Sequence, residues 1–145
     1  MRGPEGWSRN LRVVSPPGAV CIELPRTRAG RRSLESKVRA LQPGTAVVLS
    51  ATAPGAMRRC RGFARVTAVQ VEREFLAFPT VEAPGCLVED AEAPVRTLID
   101  TATLLPPRNV LALIVDAGAR VLHTLRPWRT VRALAPGRVA VGVRE

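Results

Sequence analysis

Four arginines fall within seven residues, Arg26, Arg28, Arg31 and Arg32, the densest group of ligand-binding side chains in the sequence. A guanidinium offers a planar fork of donors that matches the paired oxygens of phosphate and carboxylate. The stretch is therefore expected either to contact an anion, a nucleic-acid backbone or an acidic partner, or to form a solvated basic loop. A second basic run, Arg58, Arg59, Arg61 and Arg65, lies on a segment with helical spacing. The acidic counterpart is Glu89, Asp90 and Glu92, at a strand-to-helix junction. Negative charge there favours a helix amino end, with a catalytic or magnesium role as the alternative.

Other chemistries find few residues to carry them. His123 is the sole histidine and has no carboxylate three or four positions away to orient it, so it is read as a surface side chain. Cys21, Cys60 and Cys86 show no Cys-x-x-Cys spacing, so neither a disulfide framework nor a metal centre is expected. Reduced, packed thiols in a cytoplasmic protein are the expectation. No serine stands in a Gly-x-Ser-x-Gly context and no phosphate-binding glycine loop occurs. Phe63, Phe75 and Phe78 fall in core positions, which leaves no platform for stacking bases.

The net charge is +10 over 145 residues, and Lys37 is the only lysine. Arginine in such excess, with abundant Ala, Gly, Pro and Val, reads first as coding bias and a solvated basic face. A polyanion partner remains physically easy all the same. No apolar run is long enough to span a bilayer, and Met1 to Asn10 holds no apolar leader segment. Trp128, between Arg126 and Arg129, is read as packing on the core, with a membrane-interface anchor as the alternative.

The elements that must position these groups follow from periodicity. Residues 1–12 read as a disordered tail, with Trp7 inside it, and 13–145 as a single α/β domain. Ala19 to Leu24 is a short apolar strand, Arg26 to Arg32 a basic loop, and Ser33 caps a helix running to Leu41. Thr45 to Ala51 is continuously apolar, as suits a strand covered on both faces, so the unit reads as βαβ. A helix to Val66 follows, then strands Val71 to Phe78 and Gly85 to Glu89 linked by Pro79 to Pro84. Helical spacing returns over Pro94 to Leu105 and Arg108 to Leu125, with a short turn at Trp128 to Leu134. Gly137 to Val143 alternates like a final edge strand.

In series, the turn Leu41-Gln-Pro-Gly44, the strand Val47 to Leu49, the helix around Arg58 to Ala64 and the strands Val71 to Phe78 and Cys86 to Glu89 resemble the carboxyl-terminal half of a class I S-adenosylmethionine-dependent methyltransferase. The likeness covers residues 13–90. It implies a helix after the Pro-Gly strand and an antiparallel strand pair closing the sheet. The cofactor loop is missing: no Gly-x-Gly-x-x-Gly occurs, and Glu23 is the only strand-borne acid in the amino half, so no cofactor residue is carried over. The resemblance thus implies a truncated or partner-completed methyltransferase-like protein of small-molecule or glycan modification, with S-adenosylmethionine bound only if a partner or second copy completes the site.

The expected fold is α/β: a small, mainly parallel sheet with antiparallel edge strands, flanked by helices, and a carboxyl-terminal helical pair within 91–145. The alternative function is a non-enzymatic basic module binding nucleic acid or an acidic partner.

Overall fold

The computed structural model describes residues 9–78, 86–104, 114, 117–118, 121 and 127–145. Trp7, the Pro79 to Pro84 link, most of the expected Arg108 to Leu125 helix and His123 lie outside the described residues. The elements are α1 (Arg9–Val14), β1 (Val20–Glu23), α2 (Arg28–Arg39), β2 (Ala46–Thr52), α3 (Ala56–Val66), β3 (Val69–Phe78), β4 (Cys86–Glu89), α4 (Glu92–Leu104), α5 (Pro127–Leu134) and β5 (Gly137–Arg144).

They form a five-stranded mixed sheet in the order β1-β2-β5-β3-β4. β1 pairs in parallel with β2, Val20 opposite Val47 and Glu23 opposite Ser50, through the expected βαβ unit. β5 runs antiparallel to both of its neighbours, with Val141 opposite Val48 of β2 and Val139 opposite Phe75 of β3. The α/β class holds. The final strand, however, is central where the sequence suggested an edge. Its alternation is one of large and small residues on two buried faces: Val139 and Val141 face one layer, Ala140 the other, and Gly137–Gly142 is buried throughout.

β2 explains why both layers exist. Val47, Leu49 and Ala51 are buried with α2 and α3 residues Val38, Cys60, Phe63 and Ala64, while Val48 packs on the opposite side with Cys21, Phe75 and Val141. A strand wholly shielded from water needs a cover on each face. Leu11 from α1 is 2% exposed and belongs to the second layer. Residues 9–12, read from the sequence as part of a disordered tail, are therefore helical and anchored. Scattered charge and glycines hid a single apolar anchor that tertiary packing put to use.

Two turns and one cap set the loop lengths. Gln42-Pro43-Gly44-Thr45 closes with Thr45 N–H donating to Gln42 O at 3.1 Å, and Gly44 takes φ +84°, as the third position of a Pro-Gly turn requires. α2 begins at Arg28, six residues before the expected start at Leu34 after Ser33, because Thr27 accepts from Gly30 N–H at 3.3 Å and caps the helix first. Arg39 of α2 then donates to Val66 O at 2.9 and 3.2 Å, satisfying a carbonyl at the end of α3.

The chain divides into two compact units, residues 1–87 with 135–145, and residues 88–134. In the second, Arg132 Nε lies 3.0 Å from both oxygens of Asp90, whose side chain is 1% exposed, and its guanidinium stacks 4.8 Å over Trp128. Among the described residues no helix is long and apolar enough to cross a membrane.

The tightest backbone approach predicts a stability pair. A Cβ at Gly142 would collide with the Gln70 carbonyl of β3, next to the register shift between Val71 and Arg73, whereas a Cβ at Gly62 meets open space in α3. Gly142→Ala should cost about 1–3 kcal/mol by overpacking, and Gly62→Ala should gain up to about 1 kcal/mol in helix propensity. Urea unfolding of both variants checks this; a Gly142→Ala midpoint at the wild-type value would refute the close β5–β3 contact.

Candidate functional site

Because β1 and β2 are parallel, their carboxyl ends open on the same edge of the sheet, and the helices that follow, α2 and α3, begin there. A helix amino end carries partial positive charge and favours acids. Neither α2 nor α3 has an acid in its first turn. Both instead place arginines there: Arg28 and Arg31 on α2, Arg58 and Arg59 on α3. Each such cation opposes the helix dipole, by about 0.3–1 kcal/mol when exposed. Departures from local sequence rules of this kind concentrate at functional or strained sites.

Two of these side chains, Arg31 and Arg59, converge on the two loops together with Arg26 of the β1–α2 loop. Arg26 Nη2 donates to Ala53 O at 2.7 Å. Arg59 folds back over the start of its own helix, with Nη1 donating to Pro54 O at 2.6 Å and Nη2 donating to Thr52 O. Arg31 Nη1 donates to Pro25 O at 3.1 Å and Arg26 O at 2.7 Å. Three successive carbonyls of the β2–α3 loop and two of the β1–α2 loop thus fix three guanidinium groups, while Gly55, the residue preceding α3, is in the left-handed region at φ +72° and offers no capping side chain. Gly30 has to be glycine for Arg31 to sit so close, since a Cβ there would come within 2.9 Å of Pro25 Cγ.

The electrostatics are unbalanced. Burial, and after it the positive charge of Arg26 and then of Arg31, pulls Arg59 below its ordinary pKa. Arg59 Nε is itself buried and has no hydrogen-bond acceptor. Among the described residues no carboxylate forms an ion pair with Arg26, Arg31 or Arg59; the pairs with described geometry join Arg61 to Glu74, Arg96 to Glu92 and Arg132 to Asp90. Glu23, at the end of β1, is exposed.

The sequence-derived groups sort accordingly. Arg26 and Arg31 belong to the cluster; Arg28 and Arg32 are exposed on α2. The basic loop of the sequence reading is mostly the first two turns of α2, with only Arg26 in the loop itself. Of Glu89, Asp90 and Glu92, Asp90 is paired with Arg132 and Glu92 with Arg96 at 2.7 Å, and among the described residues no group of acids, histidines and cysteines could hold a metal ion. Arg59 was legible only as one of a basic run. The signal that could have singled it out is its place in the opening turn of a helix, where a cation is disfavoured. Arg61, by contrast, is held in a two-point pair with Glu74, both contacts at 2.7 Å, beside a groove of about 510 Å³ between α3 and β3.

Cys60, adjacent to Arg59 in α3, is 2% exposed. Burial, reinforced by the charge of Glu74, pushes its thiol up to about 12 against the pull of Arg59 and Arg138. All three cysteines are free thiols. No protein-family model, curated protein or solved structure matches the chain.

The raised thiol pKa fixes the sign of a pH effect. Below its ordinary value near 9 both folded and unfolded chains keep the proton and the stability is whole. Above it the unfolded chain ionises first, so stability falls with rising pH, by about 1.4 kcal/mol per unit, until the folded thiol also titrates. Cys60→Ala should remove one proton's worth of that slope between pH 9 and 10.5 in urea unfolding; identical slopes would show that the thiol is not sequestered.

Proposed function

We propose that this protein is an anion-binding α/β module that receives the acidic group of a ligand or partner at Arg26, Arg31 and Arg59. One observation carries the reading: three guanidinium groups are pinned by main-chain carbonyls at the amino ends of two helices, with no carboxylate neutralising them among the described residues. Pinning lowers the ordering cost that binding would otherwise impose on long side chains. An incoming anion would relieve their mutual repulsion and meet donors already in place. A nucleic-acid backbone is one such anion, and its affinity would then fall with salt, each phosphate contact adding about 0.9 to the logarithmic slope on duplex DNA. The free, buried thiols suit a reducing cytoplasm.

Inorganic phosphate tests the reading directly. At a hundredfold excess over the dissociation constant it should stabilise the full chain by about 2.7 kcal/mol relative to chloride at matched ionic strength. Arg26→Gln and Arg59→Gln should lose that gain, while Arg28→Gln, altered at an exposed position outside the cluster, should keep it. Equal phosphate effects on all four proteins would defeat the assignment.

A second reading, a methyltransferase-like protein, rests on β3 and β4, the strand pair the resemblance names, which lie side by side at the edge of the sheet, although β5, outside the resemblance, stands between them and β2. The chain's lack of a glycine-rich loop means that S-adenosylmethionine would need a partner chain to complete its site. Thermal shift of the chain with millimolar S-adenosylhomocysteine checks whether it binds the cofactor alone. A raised melting temperature would support the reading; none would remove the claim for the isolated chain.

A further inference from the structure

The cluster's geometry says more about its ligand than its sign. Resting on the anion-binding reading above, we infer that the site selects a doubly charged terminal phosphate, such as a phosphomonoester, over the singly charged phosphodiester of a nucleic-acid strand or a carboxylate.

Convergence is the first reason. A strand of nucleic acid presents its charges in a line, about 3.4 Å apart, and is matched by cations arranged along a track. Arg26, Arg31 and Arg59 instead meet at adjoining loop carbonyls: Arg26 reaches Ala53 O, Arg59 reaches the carbonyls on either side of it, and Arg31 reaches the carbonyl of Arg26. Three positive charges about one point favour the ligand that concentrates most negative charge there.

Donor count is the second. Arg26 commits Nη2 to the backbone and Arg31 commits Nη1, so each guanidinium keeps further N–H groups to offer. Arg59 commits one N–H of each terminal nitrogen and keeps the other, while its Nε is buried without an acceptor and out of a ligand's reach. A terminal phosphate has three free oxygens to share among these donors, whereas a diester or a carboxylate has two.

The third is that the described aromatic side chains of the two core layers offer no base platform. Phe63 and Phe75 are 3% and 4% exposed in the two core layers, so neither is available to stack a base. Selectivity at this edge of the sheet therefore rests on the charged head of the ligand.

The pH behaviour separates this inference from simple anion binding. Around the cluster stand Glu23 at the end of β1, Arg138 on β5 opposite Ala51, and the Cys60 thiol, held up to about 12. The thiol stays protonated throughout pH 5.5 to 8. A phosphomonoester loses its second proton near pH 6, so the ligand itself should set the profile.

The test is calorimetric titration of the full chain with methyl phosphate, dimethyl phosphate and acetate at constant ionic strength. Methyl phosphate should bind at least about tenfold more tightly than either of the others at pH 7.5, and its affinity should fall about tenfold at pH 5, where roughly a tenth remains dianionic. Arg59→Gln and Arg31→Gln should erase the preference; Arg59→Lys, which keeps the charge but loses the fork, should weaken it, and the unliganded melting temperature of each shows whether it folds. Equal binding of methyl and dimethyl phosphate, or a flat pH profile, would overturn the dianion preference while leaving an anion site standing. Failure of all three ligands to bind would overturn both readings.

Discussion

The insertion of β5 between β2 and β3 is the constraint on which the first unit depends. A strand in that position has both rows of backbone donors and acceptors engaged, one with each antiparallel neighbour. Its side chains are therefore committed to two layers at once, and its small residues, Ala140 and Gly142, set how closely α3 and β3 approach. The βαβα run β1, α2, β2 and α3 forms one parallel half-layer that is joined to β3 only through β5. Pro136 O accepting from Ala53 N–H at 2.7 Å, and Arg144 O accepting from Gly44 N–H at 2.7 Å, tie both ends of β5 to the loops that bracket β2.

The arginine cluster inherits its geometry from this arrangement. Parallel pairing of β1 with β2 brings two helix amino ends to one edge, and the loop held by Pro136 carries the carbonyls that fix Arg26 and Arg59. Main-chain carbonyls neutralise hydrogen-bonding capacity without neutralising charge, so the guanidinium groups are ordered yet paired with no carboxylate among the described residues. Elsewhere in the molecule the arginines are spent on structure: Arg39 on the end of α3, Arg61 on Glu74, Arg132 on Asp90. The excess of arginine is thus not uniform in meaning. Coding bias can set how many there are, but it does not explain why three share one pair of loops.

The sequence made the local elements readable where periodicity was strong. The buried run of β2, the α3 helix and the Pro-Gly turn before β2 follow from apolar continuity, helical spacing and the φ requirement of Gly44. What escaped were effects of tertiary pairing. Nothing in Gly137 to Val143 distinguishes alternation of buried with exposed from alternation of large with small, so the strand's central place was invisible. α1 is one short helix with Leu11, Val13 and Val14 among two arginines and an asparagine, too brief a pattern to signal a helix. Thr27 and Ser33 are both competent caps, and it is Thr27 that accepts the Gly30 N–H and opens the helix. Arg59 escaped because its partners are backbone atoms seven or fewer residues away, which leave no mark on residue type.

Cys21 and Cys60 end up on opposite sides of the sheet, the first in the layer with Leu11 and Val48, the second in the layer with Val38 and Phe63. The protein therefore carries a native chemical label beneath each of its two coverings. Loosening of α1 would bare one sulfur and loosening of α3 the other, so the order in which the two become alkylated records which covering lifts first, with no probe added to the sequence.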